Sequence, residues 1–135
     1  MSPAVSPATR CTFCRRVERR LDLIAVRDGA VAFPDSHPLT PGHCLVVPIR
    51  HEPDFFELTS DEQDDIWELV WEVRELLAVE RKARAFNVGV NAGRAAGQTV
   101  RHAHVHLIPR YNGDVPDPRG GVRWVIPERA RYWSK

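Results

Sequence analysis

Half of the six histidines fall within five residues, in His102-Ala-His104-Val-His106-Leu-Ile108. The run alternates strictly between imidazole and aliphatic. As a β-strand it places three rings on one face and Ala103, Val105 and Leu107 in the core. Same-face neighbours lie about 6.6 Å apart. Two kinds of chemistry suit such a row: a tri-histidine metal site, or imidazoles acting on an anion as nucleophile and hydrogen-bond donor. The preceding segment, Asn91-Ala-Gly93-Arg-Ala-Ala-Gly97-Gln98-Thr99, favours the second. It offers amides, a hydroxyl and flexible backbone whose N–H groups can approach an anion closely, which suits a phosphate cradle.

Gly97-Gln98-Thr99-Val100-x-His102-x-His104-x-His106-x-x-Pro109-Arg110 resembles the signature of the histidine triad family. The resemblance runs back through Phe33-x-Asp35-x-x-Pro38-x-x-x-Gly42-His43-x-Leu45-Val46-x-Pro48 and covers the chain from Cys11 to Arg110. That family comprises nucleotide hydrolases and nucleotidyl transferases whose sheet-plus-helix protomer usually dimerises. The resemblance implies that His104 attacks the α-phosphorus of a nucleotide, forms a covalent nucleotidyl-histidine and yields a nucleoside monophosphate on hydrolysis. It makes His106 a ligand of the phosphoryl oxygens, and Gln98 and Thr99 donors to the phosphate and leaving oxygen. Gly97 and Asn91 fall on the phosphate side, Asp35 at the ribose and Phe33 against the base. Thr99, where one large branch has Ser, and the Pro109-Arg110-Tyr111 ending look more like members that cleave dinucleoside polyphosphates than those that cleave phosphoramidates. Arg101 departs from the apolar or aromatic residue frequent in that branch, which turns it towards solvent or ligand. Three alternatives stay open: a phosphorylase or nucleotidyl transferase, a nucleotide-binding protein without turnover, and a metal enzyme on His102, His104 and His106.

Cys11-x-x-Cys14 is a common zinc half-site. Some branches of the family pair such cysteines with a histidine after the Pro-rich strand and with the first triad histidine. The resemblance thus implies a structural zinc, one per chain, on Cys11, Cys14, His51 and His102. An idle thiol pair or a redox pair are the alternatives, and Cys44 reads as an ordinary buried strand residue.

Elements that could position these groups follow from the pattern. Leu21 to Arg27 and Ala30 to Phe33 read as strands joined across Asp28-Gly29, a hairpin signal. His43 to Pro48 reads as a buried strand after Pro41-Gly42. Thr59-x-x-Glu62 fits a capping box. Beyond it Ile66, Leu69, Val70, Val73, Leu76 and Leu77 form one helical stripe. Trp67 and Trp71 lie off that stripe, so they are covered by flanking loops or by a second subunit. Ala85 to Asn91 and His102 to Ile108 complete the strands, with Ala92 to Val100 as a Gly-rich loop. The fold class expected is α+β: an antiparallel sheet of about five strands packed by one long helix, forming a homodimer. Residues 1–9 read as a disordered tail, 10–111 as the histidine triad domain, and 112–135 as an extended C-terminal arm. In the arm, Arg119 and Arg123 could reach a polyphosphate and Trp124 could cover a base.

Length and charge narrow the partners. With 135 residues, 43% of them hydrophobic, the chain can build one core and not two. The charge of +1 excludes a coat for nucleic acid polymer or a polybasic membrane binder. No apolar run approaches a bilayer span of about 18 residues. Three cysteines and no secretory pattern at the start suggest the cytoplasm. The near-zero total hides two opposed surfaces: residues 52–80 carry eleven acids and one base, net −10, and the remainder carries +11. Arg94, Arg101 and Arg110 border the histidines, a field suited to a small phosphate ligand.

Overall fold

The computed structural model describes residues 11–133 of the chain; the tail expected over residues 1–9 lies outside them. Five strands, β1 (Ala25–Val26), β2 (Ala30–Pro34), β3 (Cys44–Pro48), β4 (Ala85–Gly89) and β5 (Val105–Arg110), form one antiparallel sheet in the order β1-β2-β3-β5-β4. A short helix, α1 (Thr12–Glu18), packs on one face and a long one, α2 (Ser60–Glu80), on the other.

α2 starts as its capping box dictates. Thr59 Oγ1 accepts from Glu62 N–H at 3.1 Å, and Glu62 Oε1 accepts from Thr59 N–H at 2.9 Å. Ile66, Leu69, Val70, Val73 and Leu77 bury themselves against Ala30, Ala32, Val46, Val105 and Leu107. Leu76, expected in the same stripe, is instead 37% exposed at its edge. Trp67 makes an edge contact with Phe55, but Trp71 is 69% exposed, so loops cover only one end of the tryptophan face.

The opposite face carries the second cluster, in which Val31, Phe33, Leu45 and Val47 meet Cys11, Phe13 and Cys14 of the α1 segment. This helix was missed in the sequence, where its cysteines drew the attention. Its exit also shortens the first strand. Leu21 N–H returns to Arg16 O, and Arg20 and Asp22 take positive φ, so pairing begins only at Ala25.

Two further expectations change. The histidine strand is paired from Val105, not from His102. β3 ends at Pro48, and Ala103 N–H donates instead to Glu52 O at 2.7 Å, leaving His102 in a bend and His102–His104 off the ladder. The terminal arm is not extended either. It folds into a 3₁₀ turn at Gly121–Val125 and a helical turn, α3 (Pro127–Ala130), with Gly120 and Gly121 at positive φ. Arg123 binds the carbonyls of Ala130 and Arg129, and Arg119 pairs with Asp117, so both guanidiniums expected at a polyphosphate serve the arm itself. Trp124 donates to Arg119 O at 2.8 Å.

Candidate active site and metal centre

The histidines separate into two clusters, and His102 belongs to the first. Its Nε2–H donates to Pro48 O at 2.7 Å, which turns the Nδ1 lone pair towards Cys11 Sγ at 3.5 Å and Cys14 Sγ at 3.4 Å. His51 Nδ1 lies 3.2 Å from Cys14 Sγ. Tetrahedral zinc, with bonds of about 2.3 Å to sulfur and 2.0–2.1 Å to nitrogen, needs S···N separations of about 3.5 Å. These three separations lie close to that value, and all four donor atoms lie within 4.8 Å of one another. A backbone carbonyl holds the far nitrogen of His102 as ligand histidines require. Burial, the Cys11 hydrogen bond and the charges of Cys11 and Glu18 push the Cys14 thiol up to about 12; a bound cation reverses that penalty by taking the thiolate. The sequence-derived set Cys11, Cys14, His51 and His102 is therefore brought together complete.

His104 follows, buried, with Phe13 edge-on at 5.1 Å. Its Nδ1–H donates to His102 O at 2.8 Å. The proton is thereby fixed on Nδ1 and the lone pair on Nε2. Burial lowers its pKa, against the opposing pull of the carbonyl bond and of Asp35, so the ring is neutral at pH 7.

The second cluster joins His106 to His43 and Asp35. Leu39 N–H donates to His43 Nδ1 at 3.0 Å, which assigns the His43 proton to Nε2. That Nε2–H points at His106 Nδ1, 3.0 Å away, with Asp35 Oδ2 at 3.4 Å. His106 Nδ1 therefore accepts, and its own proton sits on Nε2. A cation would need the Nε2 lone pair of His43, so this trio is ordered for hydrogen bonding and not for metal. Nor do His102, His104 and His106 form a tri-histidine site, because both nitrogens of His102 are committed elsewhere. His43 stands in the sequence within the family-like motif and at the start of a buried strand, with no site role attached to it. The signal available was Gly42-His43 itself: a polar ring at the head of an apolar strand. Gly42 makes that entry possible, with φ of +93° and Leu77 Cδ2 only 2.9 Å from where a Cβ would stand.

The other expected site residues are placed less directly. Phe33 is buried, with the Arg16 guanidinium 4.3 Å above its ring. Asp35 Oδ1 also accepts from His37 N–H. Gln98 does not reach for a ligand. Its Nε2 donates to Pro53 O at 2.8 Å and Val100 O at 3.0 Å, and its Oε1 accepts from Gly93 N–H at 2.9 Å. Gly97, Gln98 and Thr99 line a cavity of about 740 Å³. Among the described residues, the side chains of Thr99 and Asn91 have no hydrogen-bond partner. Arg110 is removed from the expected phosphate field, held by both oxygens of Asp114 and by Asn87 Oδ1.

No helix among the described residues is long and apolar enough to cross a membrane. Three similarities accompany this geometry. The bis(5'-nucleosyl)-tetraphosphatase [asymmetrical] of Schizosaccharomyces pombe is 41% identical over 85 residues, 63% of this chain and 47% of that protein, so the chain spans about half its length. The adenosine 5'-monophosphoramidase of the same yeast is 36% identical over 127 residues, 90% of each chain. The crystal structure of a Zn-bound histidine triad family protein from Mycobacterium smegmatis matches with a TM-score of 0.72 at 28% identity, covering 87% of this chain and 91% of that one. The HIT domain model matches residues 16–113, and with this fold and this histidine constellation the chain belongs to the HIT domain family.

Proposed function

We propose that the protein is a nucleotide hydrolase that cleaves at an α-phosphorus through a nucleotidyl intermediate on His104, with dinucleoside polyphosphates as its substrates. The observation that carries this reading is the fixed tautomer of His104: Nδ1–H on the His102 carbonyl, Nε2 free and the ring neutral. In the first step Nε2 bonds to phosphorus as the P–O bond to the leaving phosphate breaks, and the leaving group departs as an anion. The imidazole then carries a positive charge, which the His102 carbonyl stabilises through the same hydrogen bond. Water next bonds to phosphorus, the P–N bond breaks, a proton passes to solvent, and the nucleoside monophosphate leaves.

His106 donates from Nε2 to a non-bridging oxygen, with its proton position set by His43. Thr99 supplies its free hydroxyl to the leaving oxygen. Gln98 acts by bracing the loop, and Gly97 and Asn91 complete the phosphate side. Asp35 takes the ribose. Phe33 meets a base only through the Arg16 guanidinium that covers it. Cys11, Cys14, His51 and His102 hold a structural zinc, which when bound contributes folding energy and takes no part in the bond changes; the Zn-bound relative supports this assignment. The exposed Trp71 and the place of β4 at the end of the sheet support a homodimer, and Trp71→Glu is expected to convert it to monomer in light scattering.

The test is mass spectrometry of products and protein over a panel of nucleotides, with and without added phosphate. The expected result is a nucleoside monophosphate product and a nucleotidyl adduct on His104, lost in His104→Ala. Binding without turnover or adduct across the panel refutes the reading. Nucleoside diphosphate appearing with phosphate would make phosphate the acceptor.

A further inference from the structure

Two arginines beside the site have nothing to bind. Arg94 and Arg101 line the 740 Å³ cavity with Pro53, Phe56, Gln98 and Thr99, and neither guanidinium has an ion-pair or hydrogen-bond partner among the described residues. The Phe56 ring on the same wall is 77% exposed. An exposed aromatic is ordinary alone, but here it lines one open cavity together with two cations unpaired among the described residues. Asp54, the acid at the rim, faces its own turn, accepting from Phe56 N–H at 2.9 Å.

The walls are built, not incidental. Gln98 ties the Gly-rich loop to the opposite wall through Pro53 O, and Ala103 N–H ties that wall to the histidine segment through Glu52 O. The cavity therefore reaches from the Gly-rich loop to Thr99 and to Arg101, the residue before the histidine segment. In an in-line displacement the leaving group departs on the side away from the nucleophile. With Thr99 at the leaving oxygen, the chain of phosphates beyond it enters this cavity.

We propose that this cavity is the leaving-group subsite: Arg94 and Arg101 bind the distal phosphates of a polyphosphate, and Phe56 stacks the base of the departing nucleotide. This rests on the hydrolase reading and deepens it. The subsite favours substrates whose leaving group is itself a nucleotide. A small leaving group, such as the ammonia of a nucleoside phosphoramidate, leaves it unused.

The experiment compares a dinucleoside tetraphosphate with a nucleoside 5′-phosphoramidate carrying the same nucleotidyl group. Arg94→Ala, Arg101→Ala and Phe56→Ser are assayed after circular dichroism and thermal melting confirm an unchanged fold. For the tetraphosphate, KM is expected to rise about fivefold for each arginine, the size of a solvent-exposed charge contact, and less at high salt. For the phosphoramidate, kcat/KM is expected to stay within about twofold, the scatter of surface substitutions. Equal losses on both substrates, or no loss on either, overturn the subsite. Calorimetric titration with inorganic tripolyphosphate provides a readout that needs no turnover. Affinity lost in Arg94→Ala/Arg101→Ala supports the cavity even if no nucleotide is hydrolysed, a result that would sink the hydrolase reading alone. Affinity unchanged in that variant overturns the cavity.

Discussion

Acidification probes the histidine cluster directly. Burial first, then the charges of His104 and His43, with Asp35 opposing, take the pKa of His106 from its ordinary 6.5 down to about 4. Between those values the unfolded chain binds a proton at this site that the folded protein refuses. Stability therefore rises with pH across that window: the contribution is whole above pH 6.5 and is lost as the pH falls towards 4. At 1.36 kcal/mol for each tenfold change in proton affinity, the complete loss is about 3 kcal/mol, and about 2 kcal/mol of it has gone by pH 5. Urea unfolding of wild type and His106→Asn at pH 7 and pH 5 measures it. The metal cluster titrates in both proteins and cancels. Wild type is expected to lose about 2 kcal/mol more than the variant. Parallel losses, or an NMR midpoint for His106 near 6.5, would refute the assignment of a half-buried, neutral donor.

The remaining expectations concern how that donor is held and what anchors the N-terminal side. His43→Ala leaves His106 Nδ1 without its partner, and kcat is expected to fall about 100-fold with substrate affinity and zinc content preserved. Gly42→Ala puts a Cβ 2.9 Å from Leu77 Cδ2 and 3.3 Å from Pro109 Cγ at a φ of +93°, so unfolding in urea should show a loss of about 2 kcal/mol. In Cys14→Ser, or after chelation, bound zinc should disappear from elemental analysis and the melting temperature should drop. Zinc retained in that variant but lost in His104→Ala would place the metal elsewhere.

The histidine spacing points to the candidate site, and the structure sets the His104 ring between the His102 carbonyl and the His106 ring. What alternation misjudged was their grouping. A period of two predicts one shared face, yet Pro48 ends β3 and Glu52 O captures Ala103 N–H, so His102 leaves the ladder and turns to the cysteines. The long helix and its cap were legible because the chemistry is local: Thr59 and Glu62 are three residues apart. His43 was illegible because its role depends on Leu39 N–H and on a ring sixty-three positions away. The arm failed for a related reason. Its arginines look like phosphate ligands by charge, while their partners are carbonyls and an aspartate within seven residues.

His102 links the metal set to His104. Its Nε2 is fixed to the β3 carbonyl of Pro48, its Nδ1 faces two sulfurs, and its own carbonyl receives the Nδ1–H of His104. A side chain held at both ring nitrogens leaves its backbone carbonyl one position, and His104 takes its tautomer from that carbonyl. Alanine at residue 102 would remove both side-chain bonds, and the carbonyl would lose what orients it. The metal set and the His43 relay therefore act on the chemistry from opposite sides. In the proposed mechanism the first fixes the lone pair of His104, through a backbone oxygen, and the second fixes the proton that His106 offers to the phosphate. Damage to the metal set should slow formation of the nucleotidyl adduct and lower the melting temperature together. Damage at His43, whose ring contributes no metal ligand, should slow the chemistry and leave the metal in place.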